Sequence, residues 1–285
     1  MADAGRWRLV APAKLNLWLH VTGRRADGYH ELASLFVLLE LADTLEMEAA
    51  ADGVVLSLDG PHAGDVPADG DNLALRGWDA GRGGQPPGAS LRLSKAIPVA
   101  AGLGGGSSDA AAAWRLGRRS AGVADEPPDA PTLVALAEIG ADVPFFAAQV
   151  AAARVTGIGE QVEAAASPDA REVVLVHPPF GLSTADVFGS LLPGDWSEAD
   201  PALGSEPAHN DLLAAARRIR PEIDDVLRIV TAAGGEPHLT GSGPTVFTLT
   251  ADAERSAFVA ERVGRSGLAV TETRVRAEPA SIEPW

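Results

Sequence analysis

The stretch PVAAGLGGGSSDAAA, Pro98 to Ala112, decides how this chain is read. Four glycines fall within five residues, Gly102 to Gly106, and two serines and an aspartate follow at once. Glycine adds nothing to a core and costs more backbone entropy on folding than any other residue. Upstream, Ser90 to Ile97 reads as a strand; downstream, Ser108 to Arg119 is alanine-rich and reads as a helix. A strand, a glycine run and a helix start together make a phosphate site. The glycines let successive N–H groups converge on one anion without Cβ obstruction, and the helix start adds unpaired donors and a positive dipole end. Ser107 and Ser108 add hydroxyls that can donate to a phosphate or reach a metal.

Two common phosphate loops are excluded. A Walker A loop needs a lysine after its last glycine, and none stands here. Counted from Gly102 and Gly104, the third glycine of G-x-G-x-x-G is replaced by Ser107. The plain alternative is a flexible surface loop joining strand to helix.

Outside this run the composition is that of an ordinary globular protein. Of 285 residues, 46% are hydrophobic and 22% charged, enough chain for two domains. The net charge of −16 disfavours nucleic acid and anionic membranes as partners but allows one local anion site. With no cysteine, disulfides and thiolate metal sites are excluded. No apolar h-region opens the chain, and runs such as Leu35 to Leu39 are too short to cross a bilayer. A soluble, cytoplasmic protein is expected; oligomeric state is not legible.

Strands are expected at Lys14 to Val21, Leu32 to Leu41, Thr44 to Met47 and Val54 to Leu58, with Ala42-Asp43 as punctuation. A short helix follows Asp71 or Asn72, and Pro127 to Pro131 reads as a loop. Helices at Leu133 to Ile139 and Pro144 to Gln149 precede one or two strands in Ala151 to Val162. Ser167 to Ala170 reads as a domain boundary, and Gly194 to Pro207 as an acidic loop. The second half alternates strands (Glu172 to Val176, near His238, Val246 to Thr250, Ala269 to Val275) with helices from about Thr184, at Asp211 to Arg218, Pro221 to Ala233 and Asp252 to Val263. This order suggests two α+β layers.

Three further segments bear on the site. In Lys14 to Val21, strict alternation puts Lys14 and Asn16 on one face, where a cation and an amide can meet a ligand together; a solvated polar face reads as well. Asp142, before Val143-Pro144-Phe145-Phe146, reads either as an N-cap or as a carboxylate in apolar surroundings that needs a partner such as lysine. Leu239 to Thr245 (LTGSGPT) is a glycine turn between strands, open to a hairpin or a ligand loop.

Taken in order, Pro12 to Leu17 (PAKLNL), Arg25 to His30 (RADGYH), Pro98 to Ala112, Gly140 to Phe146 and Leu239 to Thr245 resemble the galactokinase, homoserine kinase, mevalonate kinase and phosphomevalonate kinase superfamily. Within it they resemble the kinases of cytidine-diphosphate-linked methylerythritol, over nearly the whole chain. The resemblance implies a two-domain α+β kinase fold: an ATP-binding domain at 1–167, a ferredoxin-like substrate-side domain at 168–285, and an active site in the cleft between. It also implies ATP-dependent phosphorylation of the substrate's 2-hydroxyl in the non-mevalonate isoprenoid pathway, with ATP and Mg²⁺ as cofactors. The matching positions give Lys14 and Asp142 as the catalytic pair. Pro98, Val99, Ala100, Ala101, Gly102, Leu103, Gly104, Gly105, Gly106, Ser107 and Ser108 match the ATP loop. Asn16, Tyr29, His30, Thr184, Phe188, Gly241, Ser242 and Gly243 match residues on the substrate, Tyr29 and Phe188 as two faces of a cytosine sandwich. Ala100 and Ala101 stand where relatives often carry glycine. No carboxylate is singled out for Mg²⁺.

Other readings are a homoserine, mevalonate or sugar kinase, which would not need the Tyr29-His30 pair, and a nucleotide-binding protein without catalysis, against which Lys14 and Asp142 argue. A hydrolase using Ser242 does not fit G-x-S-x-G. The six histidines show no H-x-x-x-H pairing for a metal.

Overall fold

The computed structural model describes residues 5–84, 88–167, 171–197 and 209–285. Residues 168–170 of the boundary expected from Ser167 to Ala170, and most of the Gly194 to Pro207 loop, lie outside them. The first sheet is built on two long antiparallel strands, β1 (Arg6–Arg24) and β2 (His30–Ala50). Further strands are β3 (Val54–Asp59), β4 (Gly88–Ser94), β5 (Ala152–Gly157) and β6 (Gln161–Ala164). The first half of β2 pairs with β5 and the second half with β4. β3 lies parallel to β4, and β6 beside β5.

Helices α1 (Leu73–Arg82), α2 (Gly105–Ser120), α3 (Ala130–Ala137) and α4 (Val143–Ala147) belong to this half. The second half contributes β7 (Glu172–His177), α5 (Thr184–Gly189), α6 (Leu212–Ile219), α7 (Ile223–Ala232), β8 (His238–Leu239), β9 (Val246–Thr250), α8 (Ala253–Gly264) and β10 (Ala269–Arg274). Its sheet runs β10-β7-β9-β8, all antiparallel, a split β-α-β-β-α-β arrangement. The chain then returns to the first sheet, where β11 (Glu283–Pro284) pairs with the edge of β1.

β1 is buried on both faces, which the expected alternation did not anticipate. Ala13 and Leu15 pack with Val37 and Leu39 against Val173, Leu175 and Phe247 of the second sheet. On the other face, Phe36 and Leu38 of β2 meet α2 and α4 through Ala110, Trp114, Phe145 and Phe146. Fully burying a side chain such as Phe145 or Phe247 contributes about 1.5–3 kcal/mol. A second tie holds β1 to the C-terminal half. The Leu19 N–H donates to the His209 carbonyl, the Asp211 N–H donates to Leu19, and the Asp211 carboxylate accepts the Val21 N–H at 2.7 Å.

Three expected boundaries move, each for a local reason. Ala42-Asp43 does not break β2: Asp43 is fully buried, and its carboxylate accepts the Ala96 and Ile97 N–H groups at 2.6 and 2.8 Å. α3 starts at Ala130, inside the expected loop, because Asp129 caps it and Pro131 is tolerated in a first turn. α2 starts at Gly105, so the last two glycines of the run are already helical.

Candidate active site

A cleft of about 1230 Å³ opens beside the glycine run. At an irregularity in β1 between Pro12 and Lys14, the Lys14 N–H leaves the sheet and donates to the Leu103 carbonyl at 3.0 Å. That bond docks the glycine loop onto β1. Gly104 then takes φ +70°, a left-handed conformation that favours glycine, and serves as the N-cap of α2 without a side-chain bond to the first N–H groups. Those donors are therefore left for an anion. A Cβ at Gly104 would lie 3.0 Å from the Phe146 ring and 3.1 Å from Lys14 Cγ.

Lys14 and Asn16 are 4% and 2% exposed, so their face is not solvated. Lys14 Nζ donates to Asn16 Oδ1 at 2.7 Å, lies 3.3 Å from Asp142 Oδ2, and sits 4.5 Å from the Phe36 ring centroid. Asp142 precedes α4 but makes no capping bond with its side chain. Its carboxylate turns to Lys14 instead and keeps 28% of its side chain exposed to the cleft. Residues more than a hundred positions apart thus form one ion pair next to the amide cradle.

The LTGSGPT turn joins β8 to β9 and also lines the cleft, through Gly241 and Ser242. Thr240 Oγ1 accepts the Asn16 N–H at 3.1 Å, and Ser242 Oγ is 2.9 Å from Thr184 Oγ1 at the start of α5. At the far end, Tyr29 is exposed on the tight turn at Asp27-Gly28, and Phe188 stacks on His30 with ring centroids 5.6 Å apart. Burial, and then the nearby Arg24 cation, lower the His30 pKa, which favours a neutral ring at physiological pH. Most residues expected in the site line this one cleft: Lys14, Asn16, Tyr29, His30, residues 98–107, Asp142, Thr184, Phe188, Gly241 and Ser242.

Two do not. Ser108 is buried behind the loop and its hydroxyl has no hydrogen-bond partner. The α2 start at Gly105 turns it into the helix core rather than toward a phosphate. Gly243 packs its carbonyl against Gly102, where a Cβ would come within 2.9 Å, and precedes the cis peptide to Pro244.

Residues 72–149 match the GHMP kinases N terminal domain and residues 188–269 the GHMP kinases C terminal domain. A 4-diphosphocytidyl-2-C-methyl-D-erythritol kinase of Paramagnetospirillum magneticum is 41% identical over 90% of this chain and 93% of its own. One of Pelotomaculum thermopropionicum is 39% identical over 93% and 96%. The chain belongs to the 4-diphosphocytidyl-2-C-methyl-D-erythritol kinase family of GHMP kinases. A crystal structure of 4-(cytidine 5'-diphospho)-2C-methyl-D-erythritol kinase superposes with a TM-score of 0.76 at 33% identity, covering 94% of this chain and 99% of that one. Homoserine kinase from Cytophaga hutchinsonii shares the fold, with a TM-score of 0.68 at 16% identity and 99% coverage of each chain.

This GHMP kinase also holds a buried ionic cluster on the cleft floor that the motifs did not single out. Lys95 Nζ pairs with Asp43 Oδ2 and lies 2.6 Å from Asp109 Oδ2. Burial pushes the Asp109 carboxyl up to about 8, against the pull of Lys95. The Lys95 pKa is raised as well: burial works against its charge, and the two carboxylates outweigh it. Only part of the signal was present in the sequence: Asp109 stands inside the quoted run, whereas Asp43 shares its strand with Glu40, Glu46 and Glu48, and Lys95 follows a strand that carries Arg92.

Proposed function

We propose that this chain transfers the γ-phosphoryl group of ATP to the 2-hydroxyl of 4-diphosphocytidyl-2-C-methyl-D-erythritol. The observation that carries the reading is the Lys14–Asp142 pair, 3.3 Å apart and joined to the glycine loop through Leu103 and Gly104. Phosphoryl transfer needs little covalent work from the protein; it needs in-line positioning and charge stabilisation. The amides of the loop and of the first turn of α2 hold the triphosphate. Asp142 accepts the proton of the 2-hydroxyl as its oxygen forms the new bond to phosphorus, and ADP departs with the broken one. Lys14, fixed by Asn16 and the Phe36 ring, orients that carboxylate and faces the charge that develops on the transferring group. Mg²⁺ would be held with the nucleotide beside Ser107 at the start of α2, where it would supply positive charge to offset that of the phosphates.

Substrate choice rests on the far end of the cleft. Tyr29, His30 and Phe188 suit a planar base, stacked on rings and read on its polar edge by a neutral imidazole. Thr184 and Ser242 supply hydroxyls between base and phosphoryl ends. In this reading residues 1–167 form the ATP-binding domain and 168–285 the substrate-side domain. The test is phosphorus NMR of purified protein with ATP, Mg²⁺ and the cytidylyl substrate. A new phosphomonoester resonance appearing in step with ADP is expected; ATP left unchanged would refute the proposal.

A further inference from the structure

The glycine loop carries a carboxylate that the Lys14–Asp142 pair does not use. Asp109 stands four residues after Gly105 on α2, hence on the same helix face. Beneath that face lies Lys95, whose Nζ is 3.5 Å from where a Cβ on Gly105 would stand. Both side chains line the cleft. Four carboxylate oxygens surround Lys95, and three are engaged. Asp43 Oδ1 takes the Ala96 and Ile97 N–H groups, Asp43 Oδ2 takes Lys95, and Asp109 Oδ2 takes Lys95. Asp109 Oδ1 is buried and has no hydrogen-bond partner.

Lys95 does not explain that oxygen. Asp43 already balances its charge, and an ionised Asp109 would place surplus negative charge beneath the loop that is to hold an anion, so without a cation, burial keeps the proton on this carboxyl up to about pH 8. A bare carboxylate there loses its hydration without a donor in return. A triphosphate laid on the adjacent amides would then repel it. A hard divalent cation that arrives with the nucleotide resolves both problems: it takes oxygen ligands and typically uses one or two carboxylates beside the phosphates.

We propose that Asp109 Oδ1 is the protein's ligand to the divalent cation that accompanies the nucleotide, with Lys95, itself anchored by Asp43, fixing the orientation of the carboxylate. The proposal rests on the kinase reading. Its test is direct metal binding, read without turnover. Mn²⁺ replaces Mg²⁺, a non-transferring ATP imido analogue fills the site, and free Mn²⁺ is counted by electron paramagnetic resonance. Asp109→Asn is expected to weaken Mn²⁺ about 10- to 100-fold while metal-free ADP binds within about threefold of wild type. Asp109→Cys gives a second readout. The chain has no cysteine, so a thiolate-to-cadmium charge-transfer band with Cd²⁺ and the analogue belongs to position 109 alone. That band is expected. Wild-type Mn²⁺ affinity in Asp109→Asn, or a nucleotide-binding Asp109→Cys without the band, overturns the proposal. A wild-type chain that binds no nucleotide at all sinks the kinase reading as well, which separates the two failures.

Discussion

Gly104→Ala tests how the loop sets the position of Lys14. Two costs follow from the structure. A non-glycine residue at φ +70° pays about 1–2 kcal/mol for the left-handed backbone. The added methyl also meets the Phe146 ring at 3.0 Å and Lys14 Cγ at 3.1 Å, closer than ordinary contact. Neither neighbour has free space: Lys14 is 4% exposed and Phe146 is buried among Phe36, Phe145 and Trp114. The lysine must move by a few tenths of an ångström. Since a misplacement of about 1 Å costs on the order of 10²-fold, a roughly tenfold loss of kcat is expected. Gly122→Ala is the control, because Gly122 shares φ +78° but has nothing within 4 Å of its Cβ position. Both variants are taken through urea unfolding and steady-state kinetics. The control should lose about 1 kcal/mol of stability and keep wild-type kcat; Gly104→Ala should lose both. Lost stability with wild-type kcat in Gly104→Ala would refute the idea that this glycine places Lys14.

Ala100 stands at φ +54° in the same loop, so Ala100→Gly should relieve about 1 kcal/mol of backbone strain, offset in part by chain entropy; urea midpoints read the net gain. Burial, and then the neighbouring His62, push the His177 pKa down to about 4 from 6.5. The unfolded chain therefore binds the proton that the folded chain refuses. This contribution is complete above about pH 6.5 and is lost as pH falls, on the order of 2 kcal/mol by about pH 5. His177→Gln should flatten the acid slope of urea-unfolding stability. Tyr29→Ala should raise KM for the cytidylyl substrate about tenfold or more and spare KM for ATP, since one lost stacking contact is worth about 1–3 kcal/mol; equal damage to both would move the base elsewhere.

The loop at residues 98–106 and the helix after it were legible because their signal is local: glycine spacing and a helix start lie in one run of sequence. The pairing of Lys14 with Asp142 was legible only through the family resemblance. A strand lysine and a pre-proline aspartate carry no mark of proximity until β1, β2 and α4 fold together. Periodicity failed along β1 because it reports one buried face, and this strand has two. Asp43 was misread for the same physical reason that makes it matter. A buried carboxylate that accepts two backbone N–H groups looks, in sequence, like turn punctuation. Ser108 differs in the opposite way: it stands in the motif, but α2 begins at Gly105, three residues before the expected helix start, and its hydroxyl is buried.

The account depends on one carboxylate doing the proton transfer beside the amide cradle. Rapid-quench single-turnover kinetics of Asp142→Asn, with nucleotide affinity measured on the same sample, tests this most directly. The predicted result is a phosphoryl-transfer rate lower by about 10²–10⁴ with the nucleotide dissociation constant within about threefold of wild type. A variant that transfers phosphate at the wild-type rate would contradict it.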